Sequence, residues 1–165
     1  MKYYLKENFR LLHADGQLYN KAGEEVYTYK NKNVFFPRID LCKYGINIGH
    51  IKEQFRWFLD HFDIVYGAET VGTLEEKLRF LGSEMWIHEL GWRIEGDIFS
   101  MNYDIYNEND EVIAVVDQEI FRMTQRFYID IYDEDNEELI VLLVLAVNQF
   151  DKNKKAAAAA AASAH

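Results

Sequence analysis

The stretch NEELIVLLVLAVNQF, residues 136–150, holds nine consecutive apolar residues, Leu139 to Val147, in a chain of net charge −10. Periodicity alone does not separate a buried strand from a buried helix in such a run. Its flanks favour the helix. Asp133, Glu134, Asp135, Glu137 and Glu138 precede it and Lys152, Lys154 and Lys155 follow it, the order that a helix macrodipole stabilises. Asp135 or Asn136 suits the N-cap. Nine helical residues rise only about 14 Å, less than half the depth of a bilayer core, so the run is too short to span a membrane. A helix that is apolar all round needs protein all round. Burying nine such side chains contributes roughly 15–25 kcal/mol as an upper bound. A sheet face covers one side of a helix, whereas a closed barrel covers every side. The run is therefore expected to be a central helix inside a β-barrel, with Leu139, Val141, Leu142, Leu143, Leu145 and Val147 as its core.

Upstream, the sequence supplies the strands. Phe127, Ile129 and Ile131 alternate with Tyr128, Asp130 and Tyr132, and similar period-two runs surround Ile64 and Ile105. Five segments overlay on one another: QLYNKAGEEVYTYKN, IDLCKYGINIGHIKEQ, DIVYGAETVGTLEEK, DIYNENDEVIAVVDQE and IDIYDEDNEELIVLL. Their shared unit is apolar–x–apolar–Tyr, with Cys42 once in the Tyr place, then a polar turn and a second apolar run. MWIHELGWRIEGD adds a shorter unit with a glycine turn. Repeated hairpins of this kind predict an antiparallel meander or barrel. Two places resist: TLEEKLRFLG has a capping box and a glycine stop, and IKEQFRWFLDHF spaces Ile51, Phe55, Phe58 and Phe62 helically. Both stay open between helix and strand.

Residues 1–155 read as one domain with a sizeable core. The low-complexity segment 156–165 reads as an appended tail or as alanines standing in for unassigned residues. With 18 basic against 28 acidic residues, the chain lacks the basic footprint of a nucleic-acid binder, and no nucleic-acid partner is expected. Cys42 is the sole cysteine, and the N-terminus lacks an apolar signal core. A reducing cytoplasmic setting and no transmembrane segment are the expectations.

The segment GWRIEGDIFSMNYDIYNENDEVIAVVDQEIFRMTQRFYIDIYDEDNEELIVLLVLAVN, residues 91–148, resembles the LURP-one-related family of the tubby C-terminal-like superfamily, which includes the phospholipid scramblases. Trp92, the Gly96-Asp97 pair, YDIYNENDEVIA, Phe121 and YIDIYDEDNEELIVLLVLAV follow the family's order. The opening YYLKENF…LYNKAGEEVY matches more loosely, and residues 51–90 match poorly. Asn109-Asp110 stands where such a turn often has Asp-Gly. The resemblance implies a mainly β fold, a closed antiparallel barrel of about 12 strands around the hydrophobic C-terminal helix.

For function, the residues carry little chemistry. His13, His50, His61 and His88 are scattered, no nucleophile–base motif is present, and Cys42 reads as a strand residue. A non-enzymatic binding or scaffold module is expected, with no cofactor and with a protein or an anionic small ligand as partner. The clustered carboxylates Asp133, Asp135 and Glu137 offer hard oxygen ligands for calcium, although the EF-hand spacing is missing and a helix start wants such residues anyway. Tubby-like domains bind phosphoinositides through basic surface residues. The basic stretch here is TYKNKNVFFPRIDLCKY, with Lys30, Lys32, Arg38 and Lys43 around Phe35-Phe36. It is a candidate for peripheral phospholipid headgroups, against the plainer reading of a lysine-guarded strand edge. A lipocalin-like carrier is the third reading; it needs residues 139–147 to be a strand and the lumen to be free for ligand.

Overall fold

A computed structural model describes residues 1–7, 15–32, 38–56, 59–78, 83–121 and 124–163. Twelve strands run in chain order: β1 (Lys2–Glu7), β2 (Gly16–Asn20), β3 (Glu25–Asn31), β4 (Arg38–Lys43), β5 (Ile46–Arg56) and β6 (Leu59–Tyr66), then β7 (Glu69–Leu78), β8 (Ser83–Ile87), β9 (Trp92–Asp97), β10 (Asn102–Tyr106), β11 (Val112–Phe121) and β12 (Thr124–Ile131). Each pairs antiparallel with its neighbours in sequence, and β1 pairs with β12 to close the barrel. A helix, α1 (Glu137–Ser163), follows.

The apolar stretch is that helix. Residues 140–151 are buried without a break, including Leu142, Leu143, Ala146 and Val147 at 0 % exposure. No face of α1 is left to solvent over this length, as an all-apolar helix requires. The wall supplies the surround: Leu18, Tyr27, Leu41, Ile64, Ile87 and Ile105 alternate inward from their strands and are fully buried. The helix packs closest on β5 and β6. There Gly49 is essential, because a Cβ would stand 2.3 Å from the Val65 carbonyl and 3.0 Å from Leu142 Cδ1. With the lumen occupied by α1, the carrier reading fails: residues 139–147 are not extended, and the barrel holds a helix where a ligand would sit. Among the described residues no helix is long and apolar enough to cross a membrane.

The hairpin units become β2–β3, β4–β5, β6–β7, β8–β9 and β10–β11, all turning at the end where α1 begins. IDIYDEDNEELIVLL is the exception, a strand followed by the helix. The shared Tyr-terminated unit has a structural meaning. Register shifts fall between Leu18 and Tyr19, Leu41 and Cys42, Ile64 and Val65, and Ile105 and Tyr106. Each hairpin with the marker thus carries a bulge just before its turn, and bulges add the bend and twist that closing a sheet needs. Asn20 Oδ1 accepts from the Ala22 and Glu24 amides, and Asn107 Oδ1 does the same from Asn109 and Glu111, so two turns are built alike. Asp110 takes φ 62°, in the place where Gly23 takes φ 80°.

Both open segments are strands. Thr73 and Glu76 belong to β7, and Ile51 to β5, which runs on to Arg56 before β6 starts at Leu59; residues 57–58 and 79–82 lie outside the described residues. Ile51 faces Ile64 and Leu74 faces Phe62 across the ladder, so neighbouring strands satisfy these residues and override the local helical spacing.

Candidate functional site

Two polar clusters involve the residues singled out above, and they lie at opposite ends of β3 and β4. The first anchors the helix. Tyr3 Oη donates to Glu137 Oε1 at 2.8 Å, Tyr27 Oη donates to the same oxygen, and Lys43 Nζ lies 3.2 Å from it. Lys43 also pairs with Glu138 at 3.0 Å, to which Tyr66 Oη donates at 2.7 Å. Burial pushes the Glu137 carboxyl up, but the two tyrosine hydroxyls and Lys43 outweigh it and hold the group below the usual carboxylate range. The tyrosines move the other way: burial and the adjacent carboxylate raise Tyr3 and Tyr27. This is a lock between the start of α1 and strands β1, β3, β4 and β6.

The lock absorbs one residue from each sequence-derived set. Glu137 turns into the lumen, Asp133 accepts from Asn136 Nδ2 at 2.8 Å, and Asp135 is exposed. These three carboxylates do not converge, and among the described residues no group of three or more His, Cys, Asp or Glu is arranged to hold a metal ion. Lys43 sits opposite Tyr27 in the ladder, hence on the inward side at the barrel mouth, with its ammonium 5.5 Å from the Tyr27 ring centre. It is apart from Lys30, Lys32 and Arg38.

The second cluster is a grid on the outer wall of β3–β5, near the opposite end. Cross-strand register puts Lys30, Asp40 and His50 in one row and Arg38 beside Lys52 in the next. Lys32 joins that second row through its amide, which donates to the Arg38 carbonyl at 2.9 Å. Neighbouring strands lie about 4.8 Å apart and alternate residues about 6.7 Å apart, so the four cations occupy a patch roughly 10 Å by 7 Å at the backbone. Asp40, only 4 % exposed, lies beneath them. It accepts from Arg38 Nε at 2.9 Å and pairs with Lys32. Burial raises the Asp40 carboxyl, yet these two cations bring it below the usual range. His50 is lowered by burial and by the positive charges of Arg38 and Lys52, with Asp40 opposing. Lys30 and Lys52 are exposed, and among the described residues neither has an ion pair.

Four cations surround Asp40, with Asp63 opposite Lys52 and Asp15 beside Asn31 at the edges, a small local positive surplus in a chain of net charge −10. The spacing of residues 30–43 could not reveal Lys52 or His50; they join through the β4–β5 register, once the Tyr44-Gly45 turn and its bulge are placed. Phe35 and Phe36 lie outside the described residues, as does His13. Cys42 is half-buried on β4 opposite Thr28.

Comparison with curated proteins and with solved structures gives no match. A family profile does match: that of the LURP-one-related proteins, over residues 1–148. With all twelve strands and the start of the helix inside the match, this chain belongs to the LURP-one-related family.

Proposed function

We propose that this protein is a non-enzymatic binding module that takes anionic phospholipid headgroups on the outer wall of β3–β5. The observation that carries the reading is the grid itself: Lys30, Lys32, Arg38 and Lys52 gather on one flat face around a single buried carboxylate. Asp40 holds Lys32 and Arg38 in place and leaves Lys30 and Lys52 to meet a ligand. The occupied lumen supports an outer rather than an inner site. Attraction to an anionic surface is worth about 1 kcal/mol for each basic residue close to it. Four such residues, offset by Asp40 and by Asp63 opposite Lys52, give a weak, salt-sensitive attraction, further opposed by the negative charge elsewhere on the chain.

Co-sedimentation with phosphatidylserine- or phosphoinositide-containing vesicles tests this, with phosphatidylcholine vesicles as reference. Binding is expected only to the anionic vesicles, falling as salt rises. The Lys30→Glu/Lys52→Glu double variant should lose it while remaining folded, since both side chains are exposed and have no ion pair among the described residues. The new like-charge neighbours of Asp40 and Asp63 across the ladder lower its melting temperature only modestly. Binding that survives this double reversal, or no binding to anionic vesicles, overturns the proposal.

A further inference from the structure

A concavity lies on the outer wall where β1 closes the barrel between β12 and β2. Tyr3, Leu18 and Ile129 face the lumen, so Tyr4, Tyr19 and Tyr128 face out, and the register places these three in one row. Tyr4 and Tyr19 stack, with centroids 5.3 Å apart and an interplanar angle of 17°. Tyr4 and Tyr128 splay instead, at 6.4 Å and 48°. Beside the splayed pair lies a groove of about 310 Å³ lined by Lys2, Tyr4, Lys21 and Tyr128.

The turn that delivers Lys21 is firmly built. The Asn20 side chain accepts from the Ala22 and Glu24 amides, and Gly23, at φ 80°, brings the turn over Tyr4, whose hydroxyl would lie 3.8 Å from a Cβ at that position. Lys2 Nζ is held at 2.7 Å from Asp130 and lies 5.8 Å from the Tyr128 ring centre. Lys21 is exposed and has no ion pair among the described residues.

We propose that this groove binds a ring-bearing phosphomonoester, with its ring against Tyr4 and Tyr128 and its phosphate on Lys21. Aromatic faces accept any nucleobase by stacking, and the C–H face of a sugar packs on them as well. Lysine serves as a point charge for phosphate. Lys2, its partner Asp130 and Asp117, opposite Tyr128 in the ladder, leave the rest of the groove with one net negative charge, which disfavours a polyphosphate and leaves the single phosphate to Lys21. The site is separate from the β3–β5 grid and does not rest on the function proposed for it.

The test follows the tyrosine ring resonances by NMR during titration with adenosine monophosphate, glucose 6-phosphate, adenosine and inorganic phosphate. At least one of the two phosphomonoesters should shift the Tyr4 and Tyr128 signals saturably; which one does so separates a nucleotide from a sugar phosphate. Adenosine and inorganic phosphate should each bind about tenfold or more weakly, because each offers half of the contacts. Lys21→Glu, in an exposed turn, should abolish the response with unchanged melting, and Tyr128→Leu should erase the preference for the ester over inorganic phosphate. The Lys30→Glu/Lys52→Glu variant should respond like wild type, which keeps this outcome distinct from failure of the grid. The proposal is overturned if neither ester binds at millimolar concentration, if binding survives Lys21→Glu, or if the ester is lost only in the grid variant.

Discussion

Tyr44 stands 70 % exposed with φ 49°, beside Gly45 at φ 81°, in the turn between β4 and β5. Both central residues of this two-residue turn have positive φ, the geometry that Asn-Gly fills with least strain. A tyrosine there pays a steric cost of about 1 kcal/mol or somewhat more and recovers little by packing. Tyr44→Asn is therefore expected to stabilise the fold by about 0.5–1 kcal/mol, read as a higher melting temperature; an unchanged or lower one would mean that the ring makes a contact worth the strain. At this scale the sequence was legible in its repeats and not in its parity. The Tyr-terminated unit marks the bulges, because a residue type recurs wherever the same backbone irregularity recurs. A linear basic stretch hides its own parity: plain alternation along β4 sends Ile39, Leu41 and Lys43 inward and Arg38, Asp40 and Cys42 outward, so Lys43 joins Glu137 in the mouth while Lys30 and Arg38 face outward.

At the scale of the element, α1 is held by an apolar run that any barrel would accept and by a polar lock that fits one position only. Glu137 belongs to that lock and has a folded-state pKa below its unfolded value near 4.3. A carboxyl lowered in this way stabilises the fold above the unfolded pKa, and the contribution fades as pH falls through the folded value. Glu137→Gln should therefore cost about 1–3 kcal/mol at neutral pH, the range for hydrogen bonds to a charged group. Urea melts from pH 7 downward should show the wild-type advantage shrinking below about pH 4.3. A gap that stays constant with pH would remove Glu137 from the titrating groups that hold the helix. The helix itself was readable from its flanking charges and unbroken apolar run. The lock was not, since Tyr3, Tyr27, Lys43 and Tyr66 come from four strands and meet only when the barrel closes. The helical spacing within residues 51–62 and 73–82 left those segments open between helix and strand for the matching reason: hairpin neighbours, invisible to local periodicity, supply the burial.

Across the whole molecule, the basic grid is a positive island on an acidic chain. The turns around the start of α1 carry Glu24, Glu69, Glu89, Glu108, Glu111, Asp133, Glu134 and Asp135, while the outer wall towards the other end carries the four-cation grid. A local positive island of this kind steers anions to itself over short range, and salt weakens the effect. Composition disclosed the total of −10 but not this division, because charge per residue averages over faces that only folding separates. Because α1 fills the lumen, the outer wall is the surface left for the proposed headgroup site. Backbone amide NMR during titration with a soluble short-chain phosphatidylserine tests this directly. Shifts should cluster at Lys30, Lys32, Arg38, Asp40, His50 and Lys52, while the amides of residues 140–151 stay unmoved and are among the slowest to exchange with solvent. Shifts centred on the helix, or rapid exchange along it, would contradict both the enclosed helix and the outer-wall site.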